Sequence, residues 1–296
     1  MRFWILSLIT LAATGATAQS TPSTKQESEV TIIGRRAPDG AELLRQVDAI
    51  AGHPSFDKPL ARFTDPVCLG TMGLDSKSGA LLLDRMVQVA EAAHVPMNGK
   101  AKCIPNVLVL FIDDSQSAIK HIAKRMSGLL RSLSYSEIKA LIKEPGPAYA
   151  WSAVETRSRD GDRLGMGMPG EVAGPGEVPT LRVPTATRTA LSIRQDMLSS
   201  VVIIERKAVQ GKLIIQIADY AAMRAFVETK PQRNAGAPTI LTLFDEGVVA
   251  PTEMTAFDRG YLLGTYQGEG NNLPSFQMGD MARAIGAELA KQEPSP

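Results

Sequence analysis

The sequence predicts an α+β or α/β chain, a mixed sheet with helices packed on it, from three observations. Two wholly apolar runs, Val107-Leu108-Val109-Leu110-Phe111-Ile112 and Val201-Val202-Ile203-Ile204, have the composition of strands covered on both faces. Around them lie segments whose apolar residues recur at helical spacing. Glycine and proline concentrate between such segments more than within them. With 44% apolar and 21% charged residues in 296, the chain can bury a sizeable core, which excludes disorder of the whole.

The chain begins as an export signal. Met1 and Arg2 precede an apolar run over residues 3–13, and Ala16-Thr17-Ala18 is a small-x-small cleavage signature, so residues 1–18 read as a signal peptide cut between Ala18 and Gln19. The run is too short to span a bilayer comfortably, and no cysteine near the cut suggests a lipid anchor. A periplasmic or secreted protein with no membrane span is expected. Cleavage removes Arg2 and leaves 31 Lys and Arg against 31 Asp and Glu, so there is no basic footprint for nucleic acid.

Residues 19–28 are polar and patternless, a flexible leader. The body starts near residue 29 with a short strand at 30–33 and a helix at 41–50, whose Leu43, Leu44, Val47 and Ile50 share a face. Residues 62–114 read as strand, helix (78–93), strand. Cys68 and Cys103 are the only thiols, an even pair in an oxidising compartment, and a disulfide between them would staple neighbouring strands. A catalytic thiol would need a histidine partner that the sequence does not show.

A helix is expected over 117–130. Another follows, opened by the capping box Ser134 and Glu137 and stopped by Pro145-Gly146-Pro147. Residues 148–156, with Trp151, read as a strand, and 161–184 as a long exposed loop. Within that loop, Gly165-Met166-Gly167-Met168-Pro169-Gly170 has the letters of a dinucleotide fingerprint but neither the strand before it nor the helix after it. The strand at 200–205 leads to an almost all-round apolar helix at 213–227, an extended or short helical stretch at 238–244, a helix capped by Thr255 and Asp258, and a terminal helix at 276–291. Residues 293–296 form a frayed tail. The parts 29–144 and 145–292 are separate domains or one continuous domain over 29–292.

Chemistry is sparse. His53, His94 and His121 share no helix face, and neither H-E-x-x-H nor G-x-S-x-G occurs, so the sequence presents no catalytic residue, no metal ligands and no cofactor motif. Two candidate sites remain. Asp113 and Asp114 follow the first buried strand, where open sheets place ligands, although either could simply face water or cap the next helix. Gln216, Asp219, Tyr220 and Met223 form one stripe on the apolar helix, a candidate ligand-facing surface or a set of groups bonded within the fold.

The order of that half, an apolar edge strand at 201–204, a buried helix, then Thr239 to Asp245 and Met254 to Leu262, resembles the zincin-like metallopeptidase domains. In those the edge strand holds substrate and the next helix carries H-E-x-x-H. Here Gln216 and Tyr220 stand at the two histidine spacings and Ile217 at that of the general base, so the resemblance implies a degenerate, peptidase-like fold. Ile32-Ile33-Gly34-Arg35-Arg36, Asp65-Pro66-Val67-Cys68 and Ala218-Asp219-Tyr220-Ala221-Ala222-Met223-Arg224 resemble uncharacterised exported proteins of alphaproteobacteria, which implies export. The expectation is a non-catalytic binding or envelope-associated protein whose partner is a peptide or an envelope protein. An alternative is a hydrolase with a carboxylate-based site drawn from Asp113, Asp114, Asp219 or Tyr220.

Overall fold

The computed structural model describes residues 39–51, 56–100, 102–163, 190–230 and 236–292. The chain divides into Met1–Arg36 and Ala37–Pro296, and all the described residues belong to the second unit. The signal peptide with its Ala18/Gln19 cut, the leader, the strand at 30–33, His53, most of the 161–184 loop and the tail lie outside the described residues. In chain order the elements are α1 (Gly40–Ile50), β1 (Leu69–Met72), α2 (Ser76–Ala92), β2 (Val107–Ile112), α3 (Ser115–Arg125), α4 (Tyr135–Lys143), β3 (Ala148–Ser158), β4 (Ile193–Glu205), α5 (Ile214–Phe226), α6 (Ala256–Gln267) and α7 (Pro274–Ala290). Short 3-10 turns occupy Ser127–Leu130, Arg206–Val209 and Ile240–Phe244.

Side-chain oxygens set where several helices start, because the first-turn N–H groups have no partner within the helix. Asp39, Asp75 and Asp114 accept from the first turns of α1, α2 and α3. Ser134 with Glu137, and Thr255 with Asp258, close the expected capping boxes of α4 and α6. Asp114 capping at Ser117 starts α3 at Ser115, and the chain leaves the helix at Met126, so the single helix expected over 117–130 is instead a helix followed by a 3-10 turn.

The strands form one mixed sheet, ordered β1-β2-β4-β3, with β1, β2 and β4 parallel and β3 antiparallel to β4. This is an α+β arrangement whose sheet draws strands from both sides of residue 145. It also corrects the expectation that residues 201–204 lie at an edge. β4 runs for 13 residues, seven more than the strand expected over 200–205; Ser200–Glu205 pairs with β2 while β3 pairs along its other side. The run is apolar because it is interior. Among the described residues the edges are β1 and β3.

Helices cover both faces. Val107, Val109, Phe111, Val202 and Ile204 face the larger core with α1, α2, α5, α6 and α7. Tyr149, Trp151 and Ile203 face a smaller one with Ile119 of α3 and Leu141 of α4. Two glycines let α6 and α7 touch: a Cβ at Gly260 or Gly264 would lie 2.3 Å from the Cα of Ile285 or Met281. Among the described residues no helix is long and apolar enough to cross a membrane.

Cys68 and Cys103 are joined, with Cα atoms 6.1 Å apart. The bond ties the residue before β1 to the lead-in of β2, and Asn106 adds to it by accepting from the Cys68 N–H at 2.7 Å. Closing a 35-residue separation should stabilise the fold by about 3–4 kcal/mol on chain-entropy grounds. Replacing both cysteines by alanine is therefore expected to lower the unfolding free energy by about that amount in urea melts. The unreduced, denatured protein should give no free thiol.

Candidate functional site

α5 is buried on every side from Ile217 to Phe226, so each of its polar groups must find a partner away from water. Asp219, with no exposed surface, accepts from Arg85 Nε at 2.7 Å and Nη2 at 2.9 Å and from the Met254 N–H at 2.6 Å. It thereby ties α5 to α2 and to the lead-in of α6. Its bonds hold the Arg85 guanidinium above its ordinary pKa, chiefly through the direct hydrogen bond. Gln216 donates to the Pro251 carbonyl and accepts from the Leu213 N–H, and Met223 lies in the core. Of the four residues of the stripe, Tyr220 lines a cavity.

That cavity belongs to a cleft built on three residues spaced four apart, Tyr220, Arg224 and Glu228, the last just beyond the end of α5. Arg224 Nη2 donates to Glu144 Oε1 at 3.2 Å, and both side chains are more than nine-tenths buried. Tyr220 hydrogen-bonds the same guanidinium and stands edge-on to Phe244 with ring centres 4.7 Å apart. The Nε of Arg224 has no hydrogen-bond partner among the described residues. Glu144 is placed by the end of α4, where Pro145-Gly146-Pro147 turns the chain into β3. Burial pushes its carboxyl above the usual range against the pull of Arg224.

Two cavities meet here and share Glu144, Pro145, Arg224 and Lys230. The smaller, about 290 Å³, lies by Tyr220 and Phe244. The larger, about 430 Å³, is bounded by Leu133, Glu137 and Leu141 on the α4 side and by Arg224, Val227 and Glu228 on the α5 side. Its wall includes Ala150, Trp151 and Ser152, residues from both faces of β3. A space reached from both faces of a strand and from helices on opposite sides of the sheet sits on the strand's outer edge. The cleft thus presents an apolar floor, both signs of charge and a sheet edge together. Burial, with the Glu137 charge nearby, pushes the Glu228 carboxyl up to about 7.

The acidic pair lies elsewhere. Asp114 caps α3, and the hydrogen bond from the Ser117 N–H holds its carboxyl below the usual range. Asp113 is exposed and pairs with Arg206 at 2.8 Å. Both line a surface cavity with Glu205 and Lys207 that Asp219 does not reach. The structure therefore does not bring Asp113, Asp114 and Asp219 together. His121 is exposed on α3, and among the described residues no three His, Cys, Asp or Glu side chains are grouped to hold a metal ion. Sequence reading missed Glu144, Arg224 and Glu228 as a set; the visible signal was polar groups recurring every four residues along an apolar helix.

No protein-family model matches the chain, and no curated protein or solved structure matches it.

Two outcomes follow from these placements. Asp219→Ala strands Arg85 and the Met254 N–H and should cost about 3–5 kcal/mol of stability in denaturant melts. A carboxyl whose folded pKa is raised loses stability as pH climbs from its unfolded value, near 4.5, to its folded one, about 7. Glu228→Gln should therefore flatten that pH dependence and stabilise the protein by on the order of 2–3 kcal/mol above pH 7, with little change below pH 4.5.

Proposed function

We propose that the chain is an exported, non-catalytic binding protein that takes an extended peptide along the outer edge of β3. The observation that carries this reading is the cleft of about 430 Å³ lined from both faces of that strand. The backbone supports it. The Glu205 N–H donates to the Pro147 carbonyl at 2.8 Å, so the groups of Pro147, Tyr149 and Trp151 turn toward β4. Those of Ala148, Ala150 and Ser152 turn outward by alternation, and Ser132 Oγ donates to the Ser152 carbonyl from that side. A strand added here would place alternate side chains against Leu141 and Trp151 and against Arg224 and Glu228, which gives affinity through the main chain and selectivity through the pockets.

Export rests on the leader sequence and agrees with the disulfide. In this reading the degenerate peptidase-like layout is kept with one change: the ligand-holding edge is β3, and α5, carrying Gln216 and Tyr220 at the histidine spacings, reaches the cleft through Tyr220. A second reading, a carboxylate hydrolase, draws support from Glu228 rather than from Asp113, Asp114 or Asp219, because a carboxyl near 7 in a cleft can exchange a proton at neutral pH.

Trp151 is one of two tryptophans, and Trp4 lies in the cleaved leader, so fluorescence of the processed protein reports on the cleft alone. Hexapeptides selected from a random library on the processed protein should shift that fluorescence saturably. Ala150→Pro removes an outward N–H without touching the β4 ladder, and should weaken binding by about tenfold or more while the fold survives, since edge strands tolerate proline. Equal binding by Ala150→Pro, or a library that yields no binder, would remove the proposal. Shortened peptides in the mixture, absent with Glu228→Gln, would favour the hydrolase.

A further inference from the structure

The cleft beside β3 holds a carboxylate that the fold does not use. Glu228 stands just past α5, half-buried, and makes no hydrogen bond or ion pair among the described residues. The charges buried on α5 itself, Asp219 and Arg224, are both paired. On the α6 and α7 side Glu228 adjoins Leu60, Tyr261, Thr265 and Met281, none of which carries a charge at neutral pH. Burial and then the like charge of Glu137, from the α4 side, oppose its ionisation, and no cation among the described residues offsets them. A carboxylate so placed costs the fold stability rather than adding to it.

The lining of the cleft balances in number but not in place. Glu137, Glu144 and Glu228 stand against Lys143, Arg224 and Lys230, three carboxylates and three cations. Arg224 is engaged with Glu144 at 3.2 Å, Lys230 Nζ donates to the Asp48 carbonyl at 3.4 Å, and Lys143 is exposed at the end of α4. None of the three pairs with Glu228.

The rest of the wall suits one kind of side chain. Val227 beside Glu228, with Leu133, Leu141 and Trp151, is apolar, as the methylene stem of a lysine or arginine requires. Trp151, held by its Nε1 donating to the Leu129 carbonyl at 3.2 Å, adds an aromatic ring, a surface that favours cations. We infer that the cleft selects a peptide carrying a basic side chain, whose stem lies on Val227 and whose cation pairs with the Glu228 carboxylate. This specificity rests on the reading that β3 takes an extended peptide. The arriving cation reverses the balance at Glu228, so a protonated carboxyl gives its proton to solvent as the ion pair forms.

A random hexapeptide library selected on the full chain supplies the probes, and lysine or arginine should recur at one position of the peptides that bind. One such peptide, capped at both ends, and its counterpart with methionine in place of the basic residue are then titrated calorimetrically at neutral pH. The basic peptide should bind about tenfold more tightly to the native protein and about equally with its counterpart to Glu228→Gln. Its binding to the native protein should release protons, read as an enthalpy that varies with the ionisation enthalpy of the buffer, whereas the methionine peptide and Glu228→Gln should show no such release. Binders without a recurrent basic residue, a preference for the basic peptide that survives Glu228→Gln, or proton release that survives it would overturn the inference and leave peptide binding at β3 standing. A library without binders would remove both.

Discussion

A charge taken out of water must be paired, and in this protein that constraint falls on one helix. α5 is surrounded by the core, yet carries Asp219 and Arg224. Each is held by a residue far away in sequence, Arg85 on α2 and Glu144 at the end of α4. Removing one partner of such a pair is far more costly than never having built it, because the other is left desolvated and alone. The two pairs therefore fix where α2 sits against α5 and where the chain just past α4 meets it. They also settle the position of the strands those helices cover.

The same pairing separates structural from available groups. Asp219 uses both oxygens on Arg85 and a third donor from Met254, so its capacity is spent on holding elements together. Arg224 is bonded to Glu144 and to Tyr220, and both Arg224 and Tyr220 also border open space, with a guanidinium Nε unpartnered among the described residues. Glu228, one turn further, has left the helix and meets the cleft where β3 ends the sheet. One face of a single helix thus grades from scaffold to cleft wall along its length. Among the described residues no strand pairs with the outer side of β3 between Ala148 and Ser152, a position the interior strand β4 does not have.

Much of the fold was legible because its signals are local. Capping residues fix helix starts through bonds made within three residues, so Ser134 with Glu137 and Thr255 with Asp258 were readable at sight. The disulfide followed from having two cysteines behind a signal-like leader, and the strand-helix-strand order from periodicity. The misplaced feature was the edge. A run such as Val201-Val202-Ile203-Ile204 reports that both faces are covered but not what lies beside it in the sheet, and the Asp160-Gly161 turn signal behind β3 is followed by a long stretch before β4 begins, so the pairing of the two strands is not marked locally. Asp113 and Asp114 looked like a site because of their position after a strand; the structure places one as a helix cap and the other in a surface ion pair.

By itself the sequence determined what chemistry could be present: the signal-like leader, the cystine, the capping boxes that start two helices and the lack of paired histidines at helical spacing. These depend on residue type and short spacing, which folding does not alter. Only the tertiary structure decided which strand forms the edge among the described residues and that Glu144, Arg224 and Glu228 converge. Those facts arise from contacts between residues tens of positions apart in the chain, where loop closure and packing, rather than local preference, choose the partner.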